Sequence, residues 1–194
     1  MKLHIICAAY KRPIPLRIMI DCFIIQTNPN WQMYVIHDGP TPEDIRHAIA
    51  FRDDPRITMI ETEEVHGSWG HPNRKLMLEK LPCNSEDFVL ITNDDNYYVP
   101  RFVEVFLAQI NNHVGFVFCD TVHSYMIYDV LHTEVKECSI DMGSFIVRLD
   151  IAKKVGFQHM HETADGTYAE ECAMECTANN LRIVGIRKAL YVHN

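Results

Sequence analysis

The stretch that most constrains this chain runs from Asp87 to Pro100, Asp-Phe-Val-Leu-Ile-Thr-Asn-Asp-Asp-Asn-Tyr-Tyr-Val-Pro. Its four consecutive apolar residues, Phe88, Val89, Leu90 and Ile91, read as a buried strand. The run stops abruptly at two adjacent carboxylates between amides, Asn93-Asp94-Asp95-Asn96. Pro100 suits the first turn of a helix whose apolar periodicity begins at Phe102. The acidic pair therefore falls just past the carboxyl end of a central strand, where open α/β sheets bind ligands. Two neighbouring carboxylates repel, and a cation relieves the repulsion. A divalent-metal and phosphate site is one reading; an acidic turn capping the next helix is the plainer one.

The bulk properties narrow the class. At 194 residues the chain is most simply one domain, 1–194, with length enough for a substantial core. A net charge of −8 disfavours nucleic-acid partners, which need a basic face. An anionic substrate would need a metal or a few well-placed Lys and Arg. No apolar run approaches the roughly 20 residues that a transmembrane segment requires, and the amino terminus lacks the apolar core of a signal peptide. A cytoplasmic protein is expected, with room for peripheral membrane association and for a homo-oligomer. The seven cysteines are an odd number, several inside apolar runs, which fits buried free thiols in a reducing compartment. Cys172 and Cys176 lie one helical turn apart, but no second pair exists to complete a zinc site.

Strands are expected at residues 3–9, 31–36, 56–60, 88–91, 114–119, 144–149, 181–185 and 190–192. Helices are expected at 14–25, from Thr41 as N-cap to about Phe51, and at 72–81, 102–110, 150–155 and 167–179. Residues 121–139 are irregular, either strand-like or loop. The strand–helix alternation of the first half predicts an α/β fold with a parallel sheet covered on both faces.

Several landmarks then occur in register. They are Ala9-Tyr10-Lys11-Arg12-Pro13 after the first strand, Gln26-Thr27-Asn28-Pro29-Asn30-Trp31 ahead of the second, and Asp38-Gly39 at its end. Asn93-Asp94-Asp95-Asn96 with its trailing Pro100 is similar to an Asp-x-Asp signature, and residues 143–148 and 155–157 follow. Together these resemble the family 2 glycosyltransferases. The resemblance implies a GT-A, Rossmann-like nucleotide-diphospho-sugar transferase fold with a mixed, mainly parallel sheet flanked by helices. It covers nearly the whole chain, which is short for the family. Two departures stand out: His37 stands where a second carboxylate is often found, and the family's Glu-Asp pair has no clean counterpart.

The resemblance implies a metal-dependent hexosyltransferase. It would move a sugar from a nucleotide-sugar donor, a UDP-sugar by expectation, to a saccharide, lipid-linked or other hydroxyl acceptor, with inversion. Residues 1–118 would bind donor and 119–194 would form the acceptor side. Mn²⁺ or Mg²⁺ would be held by Asp94 and Asp95, with Asn96 and His193 as further ligands. Ala8, Ala9, Tyr10, Arg12, Asp38, Asn73, Lys75 and Asp94 would contact the donor, with Arg74 beside them. The base would be Asp165, Glu170 or Glu171, with Asp165 favoured because it is expected in a loop beside Gly166. The other histidines, among them His66, His71 and His123, read as polar loop residues. Two alternatives stay open. A nucleotidyltransferase would need a glycine-rich basic loop after the first strand, which Ala8-Ala9-Tyr10-Lys11-Arg12 does not provide. A catalytically degenerate sugar-binding protein of the same fold would account for the missing Glu-Asp pair.

Overall fold

The structure is a computed structural model, and it describes residues 1–50 and 53–194. In chain order the elements are β1 (Leu3–Ala9), α1 (Pro13–Ile24), β2 (Trp31–His37), α2 (Glu43–Ala50), β3 (Ile57–Glu61), α3 (His71–Lys80), β4 (Phe88–Asn93), β5 (Tyr97–Tyr98), α4 (Phe102–Leu107), β6 (Val114–His123), β7 (Asp129–Leu131), β8 (Phe145–Arg148), α5 (Leu149–Val155), α6 (Ala164–Ala178) and β9 (Arg182–His193). The strands form one sheet in the order β3-β2-β1-β4-β8-β6-β9-β5, with β7 paired to β6. β3, β2, β1 and β4 run parallel, and β9 runs parallel to β6. β8, β7 and β5 are antiparallel to their neighbours.

Alternation along the strands explains the unbroken apolar runs. Leu3, Ile5 and Cys7 of β1 face one core with Leu16, Met19, Ile20 and Phe23 of α1. Those four α1 positions recur at helical spacing and give the helix one buried stripe. Ile6 of β1 and Val89 and Ile91 of β4 face the opposite core with Met77 and Leu78 of α3 and with α5 and α6. Both faces of the sheet are therefore covered.

The chain leaves β1 toward β2 on one side and returns to β4 on the other. The carboxyl ends of β1 and β4 thus flank a topological switch point, where a crevice opens. Gln26 fixes the segment that follows β4. Its Nε2 donates to the carbonyls of Cys22 and Val99, each at 2.8 Å, and its Oε1 accepts from Val103 N–H at 2.9 Å. Gln26 is thus a buried brace for residues 99–103.

Several elements differ from expectation. The helix from Thr41 was expected to reach Phe51, which lies outside the described residues; α2 begins at Glu43. Pro100 precedes α4, with Arg101 at the N-cap, and its carbonyl accepts from Thr27 N–H at 2.9 Å. β5 was not expected, because two residues carry no periodicity. The two short strands expected after residue 180 are one bulged strand, β9, paired along β6. α6 begins at Ala164, so Asp165 lies in its first turn and not in a loop. No helix of the described residues is long and apolar enough to cross a membrane.

Candidate active site

A cavity of about 910 Å³ opens at the β1/β4 switch point, lined in part by Ala8, Ala9, Tyr10, Arg12, Asp38 and Asn73. Asp95, Asp165 and His193 line its other walls. The first half of the chain supplies the strand-end turns, and α6 and β9 supply the far side.

The acidic pair is split by the fold. Asp94 is fully buried, accepting from Tyr10 N–H at 3.0 Å and pairing with Arg12 at 2.5 Å. Burial pushes its carboxyl up to about 6, against the pull of Arg12. Arg12 also pairs with Asp95, so one guanidinium spans both carboxylates. Asp95 faces the cavity, whereas Asn96 turns inward and donates to Thr92 Oγ1 at 3.2 Å. Asp95 Oδ1 and Asn96 Oδ1 are buried acceptors without a hydrogen-bond donor. Orphaned acceptor oxygens beside a second carboxylate suit a hard divalent cation.

Asp38 organises the opposite wall. It accepts from His66 N–H and Gly67 N–H, both at 2.9 Å, and from Asn73 Nδ2 at 3.0 Å. Burial alone would raise its carboxyl, but these three donors hold it below the usual carboxylate range. The segment they secure has four successive positive φ values, at Gly67, Ser68, Trp69 and Gly70. Gly70 has φ +80°, and a Cβ there would lie 2.9 Å from Ala8 Cβ, so glycine alone lets this loop close over β1. Trp69 is 63% exposed and presents its ring to the cavity rim. His37, the departure at the end of β2, is buried; its Nδ1 donates to the Gly39 carbonyl at 2.9 Å and its Nε2 accepts from Lys11 N–H at 3.4 Å. It joins two strand-end turns, a task a carboxylate could not do.

Asn73 and Arg74 both reach the cavity, but Lys75 does not: its Nζ points to Gln158 Oε1 at 2.8 Å. Arg74 is 3% exposed and bonds to Asn93 Oδ1 and to His71 Nδ1. Burial lowers its guanidinium to about 10. It is the buried cation of the site, and nothing in its helix-start sequence distinguished it from a solvated residue. His71, expected as a polar loop residue, is buried in the first turn of α3 and donates from Nε2 to the His161 carbonyl at 3.0 Å.

Of the three candidate bases only Asp165 lines the cavity. Burial raises its carboxyl above the usual range. Glu170 accepts from Glu137 N–H at 2.8 Å, and Glu171 pairs with His159 at 2.8 Å, both away from the cavity lining. His193 closes β9, with its Nδ1 3.0 Å from Asp141 Oδ1. The other oxygen, Asp141 Oδ2, lies 2.7 Å from His123 Nε2. Neither Asp141 nor His123 stood out in the sequence. No local signal marks either one: the strand before His123 is expected to end at Cys119, and β6 runs on to His123. Cys172 and Cys176 are buried free thiols and belong to no three-ligand group among the described residues.

No protein-family model matches the sequence, and no curated protein does so either. Solved structures do share its fold. S. aureus TarS 1-349 matches with a TM-score of 0.77 at 17% identity, over all of this chain and 60% of that one. The same protein in complex with UDP-GlcNAc gives 0.78 at 18%, over 100% and 58%. The mannosyltransferase PcManGT from Pyrobaculum calidifontis, in complex with GDP-Man and Mn²⁺, gives 0.73 at 16%, over 99% and 56%. This chain spans about 60% of the length of the first of these structures. At such identities the likeness is one of architecture: the chain has the mixed α/β fold of the GT-A glycosyltransferases.

Proposed function

We propose that this chain is a metal-dependent glycosyltransferase that moves a sugar from a nucleotide-sugar, a UDP-sugar in our reading, to a hydroxyl acceptor with inversion. One observation carries the reading. Asp38, Asp95, Asp165 and His193 come from four separate segments and line one cavity at the switch point of the sheet. The neighbours that share the fold were solved with UDP-GlcNAc and with GDP-Man and Mn²⁺, which supports the same donor class here.

The residues divide the work. Asp38, held ionised by the 66–67 amides and Asn73, is placed to accept from a base N–H. Ala8, Ala9 and Tyr10 offer backbone groups and one ring to the nucleoside, and the exposed Trp69 ring offers a stacking face. Asp94 acts from behind: it pins the Tyr10 turn and holds Arg12 across the acidic pair. Asp95 would hold the donor's metal, with the Asn96 amide oxygen behind it. A bound divalent ion neutralises the charge of the departing pyrophosphate. Arg74 adds a fixed positive charge without the reorganisation a solvated Lys would need. Asp165, on the acceptor side with a raised affinity for protons, accepts the hydroxyl proton. Direct displacement by that hydroxyl inverts the anomeric centre. Residues 1–118 thus serve the donor and 119–194 the acceptor.

A donor-hydrolysis screen over UDP- and GDP-sugars with Mn²⁺ tests this. Release of nucleoside diphosphate from at least one donor, abolished by chelation, is expected. Binding of donors with no turnover in the presence of any acceptor would instead favour a sugar-binding protein.

A further inference from the structure

We propose that His123 and Asp141 are metal ligands that join His193 in a two-imidazole, one-carboxylate centre behind the His193 wall of the cavity. This rests on the glycosyltransferase reading only for its purpose; the site itself stands on geometry. His123, Asp141 and His193 each offer one ligand atom, and these lie within 4.8 Å of one another. Ligands about 2.1 Å from a common ion are at most roughly 4.2 Å apart, so a closure of less than 1 Å suffices.

Three segments converge to build the centre. His123 ends β6 and His193 ends β9, and the two are register partners in a parallel ladder. Neighbouring strands lie about 4.8 Å apart, which sets the imidazoles side by side on one face of the sheet. Their ring centroids are 5.4 Å apart, edge to face. Asp141 enters from the turn ahead of β8, and that turn is fixed because the Asp141 carbonyl accepts from Ser144 N–H at 2.9 Å and from Ser144 Oγ at 2.7 Å. Tyr125 stacks on His123 at 5.1 Å and meets His193 edge-on at 5.4 Å, covering the pair. Ser124 Oγ donates to Asn194 Oδ1 at 2.7 Å and ties the two strand ends together. A supported, shielded set of this kind is what a metal site requires of its surroundings.

The plainer reading is a carboxylate hydrogen-bonded to two imidazoles and nothing more. Charge argues against stopping there. Asp141 lies 3.0 Å from His193, and Asp95 and Asp165 line the same cavity as His193. Among the described residues Asp141 pairs with these two histidines and with no Lys or Arg. A divalent ion relieves that concentration of negative charge. Two nitrogens select Mn²⁺, Co²⁺ or Zn²⁺ over Mg²⁺. The centre should also load before the nucleotide arrives, because its ligands are all protein groups.

Pulsed EPR on the intact chain with Mn²⁺ and no nucleotide tests this directly. Nitrogen couplings from directly bound imidazole are expected, reduced in His123→Gln, with Mn²⁺ affinity falling at least roughly tenfold. Asp141→Asn should weaken Mn²⁺ to a similar degree. UDP binding in the absence of metal, measured in parallel, should be unaffected by either change. If wild-type protein binds Mn²⁺ without nitrogen coupling, the proposal is overturned, and no variant is needed to learn it. UDP binding alongside that result leaves the glycosyltransferase reading intact; failure of UDP to bind with or without metal would count against that reading separately.

Discussion

The Arg12 guanidinium lies 2.5 Å from Asp94 Oδ1, and the same group pairs with Asp95. A half-exposed cation thereby neutralises a fully buried carboxylate and its neighbour. Removing it strands the Asp94 charge in the interior. Arg12→Ala should cost about 2 kcal/mol, below the range for fully buried pairs because Arg12 is 47% exposed. It also frees Asp95, so Mn²⁺ should raise the melting temperature more in the variant than in the wild type. Urea unfolding and thermal melts with and without Mn²⁺ check both; an unchanged variant would mean that the bridge carries no charge balance.

Asn73 provides one of three donors to Asp38, and its loss leaves Asp38 Oδ1 with the His66 amide alone. Asn73→Ala should therefore destabilise the chain by about 1–2 kcal/mol. It should also weaken UDP binding several-fold, because the 66–70 loop loses its anchor. A variant with full UDP affinity would show that Asp38 is positioned by the two amides without help.

His71 makes stability depend on pH. Burial and then the charge of Arg74 lower its imidazole to about 4. The unfolded chain takes up that proton near 6.5 and the folded one near 4, so the contribution is intact above about 6.5 and is lost as the pH falls toward 4. The loss attributable to this one group is about 3 kcal/mol. His71→Gln should flatten the fall between pH 6.5 and 4, measured by urea unfolding at several pH values. An equally steep fall in the variant would assign the acid sensitivity to other groups.

Asp165→Asn should lower kcat by roughly 10²–10⁴ while donor affinity stays near wild type, as expected for loss of a general base. Glu170→Gln and Glu171→Gln should turn over close to the wild-type rate, because those carboxylates bond to Glu137 N–H and to His159. Steady-state kinetics on the three variants separates them. Loss in Glu171→Gln with none in Asp165→Asn would move the base out of the cavity.

Much of the fold was legible because its central strands carry dense apolar runs and its first half alternates strand and helix. Asp38, Asp95 and the Ala8–Tyr10 turn were legible for a related reason: a polar residue that ends an apolar strand must lie at the sheet's carboxyl edge. Lys75 misled because three adjacent polar residues at a helix start look alike, and only the helix rotation sends Asn73 and Arg74 inward and Lys75 toward Gln158. Asp165 is expected in a loop but stands in the first turn of α6, which begins earlier than its apolar pattern suggests; of the three candidate carboxylates it lines the cavity. His123 and Asp141 were illegible, because their meeting with His193 depends on the β6/β9 register and on a turn with no local signal.

Calorimetric titration with UDP, in the presence and absence of Mn²⁺, measures the central claim most directly. Binding that strengthens at least roughly tenfold with Mn²⁺ in the wild type, and loses that gain in Asp95→Asn, is the predicted result. UDP affinity that is the same with and without metal would contradict it.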